Sequence, residues 1–127
     1  MTVERFASGG PFEERYGYSR VVKAGPFLFT AGCTSIVDGM VAHVGDAGAQ
    51  AREAFGIALA ALSKAGASIR DVVRTRMFVA PTVDVDAVGR AHGEVFGAVK
   101  PTAALYVIHG FVHPDMLVEV EVEAYRP

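Results

Sequence analysis

The stretch LVEVEVEAY, Leu117 to Tyr125, decides the fold. Side chains on a strand alternate between its two faces, so Val118, Val120, Val122 and Ala124 point one way and Glu119, Glu121 and Glu123 the other. The first face requires a hydrophobic layer. The second carries carboxylates about 6.6–7 Å apart along the strand, which repel unless water or cations compensate them. Upstream, residues 69–80 also alternate, with Val73, Thr75, Met77 and Val79 on one face and Arg74, Arg76 and Phe78 on the other. If the two strands are neighbours, Arg74 and Arg76 match the alternation of the glutamates. The ladder is then a structural or interfacial salt-bridge network, the holder of a catalytic acid or base, or a solvated edge, and the residues alone leave these readings open.

Away from these strands the period changes. From about Ala47 to Ala65, Phe55, Leu59 and Leu62 share one helical face with Ala51 and Ala58 beside them, and Gly66 follows where a left-handed cap forms readily. A second helix is predicted from about Asp84 to Phe96, with Asp84 as its cap, a stripe of Val85, Val88, His92 and Val95 or Phe96, and Gly89 and Gly93 weakening it locally. Further strands are predicted at Val3–Phe6, in SRVVKA and FLFTA around Gly25-Pro26, and at Ala103–Phe111, with a turn at Asp38-Gly39. The stretch between the first two strands reads as polar and aromatic connection. Two helices spaced among strands cover one side of a sheet, which gives an α+β architecture with a mixed sheet. Leu105, Val107, Phe111 and Phe78 are expected on the uncovered side, which is then too apolar for water, so self-association is expected.

With 127 residues, 51% hydrophobic and 20% charged, the chain suits a single domain over residues 1–127. A formal net charge of -2 excludes a broadly basic nucleic-acid surface. The lone Cys33 reads as a buried small hydrophobe, and one cysteine forms neither an intrachain disulfide nor a thiolate metal site. Glu4 and Arg5 precede any apolar run, and no window reaches the roughly 20 apolar residues of a membrane span, so a soluble, cytoplasmic protein is expected. His109 and His113, with His43 or His92, lack metal-ligand spacing, and neither a nucleophile elbow, a Walker loop nor a dinucleotide fingerprint is present. Neither a metal nor a cofactor is expected.

The order GYSRVVKAGPFLFTAG, SKAGAS, IRDVVRTRMFV and KPTAALYVIHGFVHPDMLVEVEVEAY resembles the RidA/YjgF family of reactive-intermediate deaminases from Gly17 to Tyr125. The resemblance implies a chorismate-mutase-like fold, a homotrimer with clefts between subunits, and hydrolysis of reactive enamines or imines such as 2-aminoacrylate to a 2-keto acid and ammonia. It also implies that Tyr18 and Glu119 are catalytic, that the Ala31-Gly32 backbone borders the cleft, and that Glu121 is the second glutamate of the terminal motif. The logic is a clamped substrate carboxylate, water attack on the imine carbon and assisted proton transfer to departing ammonia.

Some positions depart from the family pattern. Ala103 stands where active members carry an arginine in a P-x-R motif, and a methyl group cannot clamp a carboxylate. Arg90 matches a position often held by a site asparagine, where it anchors an anion in a cleft shared with Glu119 or makes an ordinary surface salt bridge. Leu105 replaces a small polar residue or cysteine at the ligand site, and GFVHPDM is one residue longer than the common loop. The expectation is a divergent member that hydrolyses a less acidic small imine, enamine or carbonyl compound, with a non-catalytic trimeric small-molecule-binding or regulatory protein as the alternative. Membrane and nucleic-acid partners are not expected.

Overall fold

The computed structural model describes residues 2–127. In chain order its elements are β1 (Val3–Phe6), α1 (Pro11–Tyr16), β2 (Val21–Ala24), β3 (Phe27–Thr30), β4 (Cys33–Thr34), β5 (Ile36–Val37), β6 (Met40–Val41), α2 (Ala47–Lys64), β7 (Val72–Val79), α3 (Val85–Phe96), β8 (Thr102–Val107) and β9 (Val118–Tyr125). The main sheet runs β1-β2-β3-β9-β7-β8, with β4 also on β9, while β5 and β6 form a separate hairpin. Asp38 and Gly39 both have positive φ, as a tight hairpin turn between β5 and β6 requires. Among the described residues only β7 and β8 pair in parallel, and α3 is the crossover that such a pair needs. The sheet is mixed and carries its two long helices on one face, as the period change in the sequence predicts.

That face is the core. Val118, Val120, Val122 and Ala124 are fully buried against Ala51, Ala54, Phe55, Ala58 and Leu62 of α2 and Val88, Ala91 and Phe96 of α3. Small residues along α2 let its backbone approach the sheet, while Phe55 and Phe96 meet edge to face at 5.0 Å. Leu59 is only partly buried. His92 belongs to this layer: its ring bonds the fully buried Thr75 hydroxyl at 2.8 Å, and burial holds its pKa below the usual histidine value. Asp84 caps α3 as its sequence position predicts.

The structure differs from the sequence reading in several places. Residues 11–16 form a short helix, opened by Pro11 and closed by Gly17 at φ 75°, whose N–H bonds the Glu13 carbonyl. Val73 is exposed rather than in the core face, because Val72 pairs with Ala124 and Arg74 with Glu123, leaving Val73 as a bulge. The strand expected at 103–111 ends at Val107, and residues 108–117 are a loop. Leu105 was expected on the uncovered face. In the parallel register it lies opposite Met77, and it packs against the core.

Candidate functional site

The glutamate ladder meets β7 in a register that treats its members unequally. Arg74 lies opposite Glu123, Arg76 opposite Glu121 and Phe78 opposite Glu119. Arg76 accordingly donates to Glu123 at 2.7 Å and lies 3.7 Å from Glu121, and Arg74 reaches Glu123 at 3.7 Å. The two arginines thus match the alternation, and the ladder is an ion network over Glu121 and Glu123. At Glu119 the cations run out. Among the described residues no ion pair includes it, and burial, followed by the nearby Glu121, raises its pKa above the ordinary 4.5 against a smaller opposing pull from Arg20.

Glu119 is held in place by an irregularity on the other side of β9. Phe29 pairs with Glu123 but Cys33 with Val120, so four residues on one strand span three on the other. The Thr30 hydroxyl accepts the Val122 N–H beside this bulge, and Ala31-Gly32 is displaced toward the carboxylate. A Cβ on Gly32 would stand 2.8 Å from Glu119 Oε2, so only glycine permits this approach. Cys33, just beyond, is buried with its thiol pKa raised by burial, a small hydrophobe as its sequence context suggests.

Two concavities flank the bulge on the uncovered face. One, of about 560 Å³, contains Glu119 and Glu121 under a wall of Phe78, Ile108, Phe111, Val112 and Met116. The other, of about 530 Å³, contains Tyr18, Thr30, Ala31 and Phe29 with Arg5 and Glu13. The sequence-predicted residues therefore fall into two groups: Glu119, Glu121 and Gly32 together, and Tyr18 with Ala31. Arg20, which sequence reasoning missed, touches a residue of each group, Gly32 and Tyr18. Its guanidinium donates to the Gly32 carbonyl at 2.8 Å, sits 5.7 Å over the Tyr18 ring and pairs with the buried Glu13 at 3.4 Å. Burial alone would raise the Glu13 pKa, but hydrogen bonds from Ser8 and the charge of Arg20 outweigh it and hold Glu13 ionised.

The apolar wall comes from the loop that the sequence reading took partly as strand, and Gln50 fixes it. This fully buried side chain donates to the His43 and Asp115 carbonyls and accepts from the Leu117 N–H, tying α2 to the loop end. Gln50→Leu strands all three backbone groups, and its expected cost is about 2–4 kcal/mol. A lower denaturation midpoint, with the change in amide exchange concentrated at 115–117, is the checking measurement.

A family model described as Endoribonuclease L-PSP matches residues 12–126. Rv2704 of Mycobacterium tuberculosis, a solved member of the YjgF/YER057c/UK114 family, aligns with a TM-score of 0.87 at 36% identity over 98% of this chain and 99% of that one. The chain belongs to the RidA/YjgF family. It is 46% identical over 124 residues to the uncharacterized protein SCO2049 of Streptomyces coelicolor, covering 98% of this chain and 92% of the relative. It is 32% identical over 105 residues to the 3-aminoacrylate deaminase RutC of Acinetobacter baylyi, covering 81% and 82%.

Within this family fold, the departures noted from the sequence take definite places. Arg90 is highly exposed on α3, pairs with Asp86 one turn away and lines neither concavity, so a single chain does not bring it to Glu119. The reason is topological: α3 covers the core face, whereas Glu119 faces the opposite side. Leu105 faces the core rather than the Glu119 site. Ala103 is exposed opposite Thr75. Among the described residues no group of His, Cys, Asp or Glu converges as a metal-ligand set, and no helix is long and apolar enough to cross a membrane.

Proposed function

We propose that the protein is a divergent RidA-type hydrolase of a small imine or enamine whose body is apolar, with Glu119 as its proton-handling group. The observation that carries this is the ladder's end: Glu119 is the glutamate without an arginine opposite it, half-buried beside an apolar wall and pressed against Gly32. A carboxylate whose proton affinity is raised in such a setting suits a proton-transfer role. In the reaction, an enamine carbon takes up a proton to give the imine and water adds to the imine carbon. A proton passes through Glu119 to nitrogen, and the carbon–nitrogen bond breaks to release ammonia and a carbonyl product.

The name of the RutC relative supports an enamine as the substrate class. Ala103 separates this chain from a carboxylate-clamping site, and the loop wall of Ile108, Phe111, Val112 and Met116 supplies apolar contact instead. Each concavity is open in a single chain, and both border the uncovered face, so we place the complete cleft between copies of a homotrimer. Tyr18, with Ala31, then contributes its wall from the second concavity. The missing arginine also favours a second reading, a trimeric binding or regulatory protein without turnover. Ribonuclease action is not our choice, because a phosphate backbone on this face meets the glutamate ladder.

A panel of enamines and imines, generated in coupled assays and followed by ammonia release, tests the proposal. Apolar, uncharged members should be turned over and 2-aminoacrylate weakly or not at all, since it depends on the absent clamp. Hydrolysis of 2-aminoacrylate at the rate of an arginine-bearing relative overturns the divergence, and ligand binding without any ammonia release favours the regulatory protein.

A further inference from the structure

Arg20 stands outside every role so far assigned. It precedes β2, its side chain is only 16% exposed, and it lines a third concavity of about 210 Å³ with Ser8 and with Ile57 and Ala61 of α2, while its neighbours Glu13 and Tyr18 line the 530 Å³ one. Glu13, buried on α1, is itself held by the Ser8 N–H at 2.9 Å and the Ser8 hydroxyl, and it anchors one terminal nitrogen of the guanidinium. The other donates to the Gly32 carbonyl at 2.8 Å, with the Cys33 sulfur 3.7 Å away. Gly32 is the residue against which the Glu119 carboxylate lies. Ser8, Glu13, Arg20, Gly32 and Glu119 thus form one continuous chain of contact. Its fixed element is a planar, always-charged guanidinium whose two terminal nitrogens both bond protein groups.

We propose that Arg20 is the positioning residue of this site, holding the bulged Ala31-Gly32 backbone in the one placement that seats the Glu119 carboxylate. A bulge of this kind leaves a residue outside the ladder, so the Gly32 carbonyl needs a partner from elsewhere. Arg20 supplies it, and its charge is already paired with Glu13. Its charge also acts on Glu119 against the groups around that side chain. Those are Glu121 on β9, the Cys33 thiol and Thr34 on β4, Phe78 on β7 with Arg76 engaged by Glu121 and Glu123, and the apolar loop residues. Among the cations, Arg20 is the one that opposes the raised proton affinity of Glu119.

The assignment deepens the reading of Glu119 as proton-handling group, but its test does not depend on turnover. The Glu119 carboxyl is titrated by carbon-13 NMR, its signal identified by loss in Glu119→Gln, in wild type, Arg20→Gln and Arg20→Lys. Arg20→Gln removes the cation and the fork, so the Glu119 midpoint should move upward and amide exchange over residues 31–34 should accelerate on the order of tenfold, as loss of one hydrogen bond allows. Arg20→Lys keeps the charge without the fork, so the midpoint should stay closer to wild type while the exchange still accelerates. An unchanged midpoint and unchanged exchange in folded Arg20→Gln overturn the proposal. Should Arg20→Gln not fold, wild-type exchange at 31–34 in Arg20→Lys overturns it equally. If Glu119→Gln retains full turnover while the Arg20 variants shift as stated, the catalytic reading fails and the positioning role stands.

Discussion

Glu119→Gln is expected to lower kcat/KM for the best substrate of an imine panel by about 10²–10⁴-fold, the usual contribution of a positioned acid or base. The amide keeps the size and the hydrogen-bonding reach of the carboxylate, so the seat against Gly32 survives and the proton relay does not. Ligand binding should change far less than turnover. Stability supplies an independent check with a definite sign. Because burial and Glu121 raise the Glu119 pKa in the folded chain, folding disfavours its charged form, and the wild type is penalised at pH values above the unfolded midpoint near 4.5. Glu119→Gln should therefore be more stable than wild type at neutral pH, and this advantage should vanish as pH falls below that midpoint and the wild-type carboxyl is neutral in both states. A variant with full ammonia release and no pH-dependent gain in stability removes Glu119 from the mechanism. A stability gain with unchanged turnover makes the carboxylate a desolvated spectator.

That a single glutamate can be singled out shows what the sequence does and does not disclose. Alternation in 117–125 is enough to place Val118, Val120, Val122 and Ala124 in the core and to pair Arg74 and Arg76 with the ladder, because strand parity is local and both strands obey it. Which glutamate is left without a cation depends on register, and register depends on the Val73 bulge. Parity alone carries Val73 into the core and misses it. Leu105 fails for a related reason: its face is set by parallel pairing with β7, a partner 28 residues upstream at Met77 that no local pattern names. The family resemblance brings Glu119, Gly32, Ala31 and Tyr18 forward but gives no account of why glycine is required at 32. The close approach of Glu119 Oε2 gives the reason for a small residue there: a Cβ at 32 would push the carboxylate out of its seat. Arg20 is invisible to both routes, since it lies before a strand and acquires meaning only from Glu13 on α1 and a carbonyl twelve residues later. Arg90 is the converse. Its position suggests a site residue, while within one chain its helix and its partner Asp86 hold it in solvent.

Light scattering over a dilution series is expected to report about three subunits, and a single aspartate on the uncovered face should reduce that mass to one. The face carries Phe27 and Phe29 on β3, Tyr125 on β9 and the stacked pair Phe78 and Tyr106 across β7 and β8, with Phe27, Phe29, Tyr106 and Tyr125 each 41–48% exposed in one chain. Aromatic side chains left half in water over the breadth of a sheet mark a surface that another protein surface covers. Phe27→Asp and Tyr106→Asp probe opposite ends of it, and neither residue lines the Glu119 or the Tyr18 concavity. An aspartate buried at 27 has no cation beside it on β3, and one at 106 meets only Arg76, already engaged by Glu121 and Glu123; burying such a charge costs several kcal/mol at each repeated interface, enough to separate the subunits at micromolar concentration. The two substitutions then separate assembly from chemistry. If the cleft is completed by a neighbouring copy, the monomeric variants keep their fold but lose turnover. A wild type that is monomeric at working concentration defeats the assembly outright. Active monomers would instead mean that the Glu119 concavity and its loop wall are sufficient, and that Tyr18 belongs to a different site.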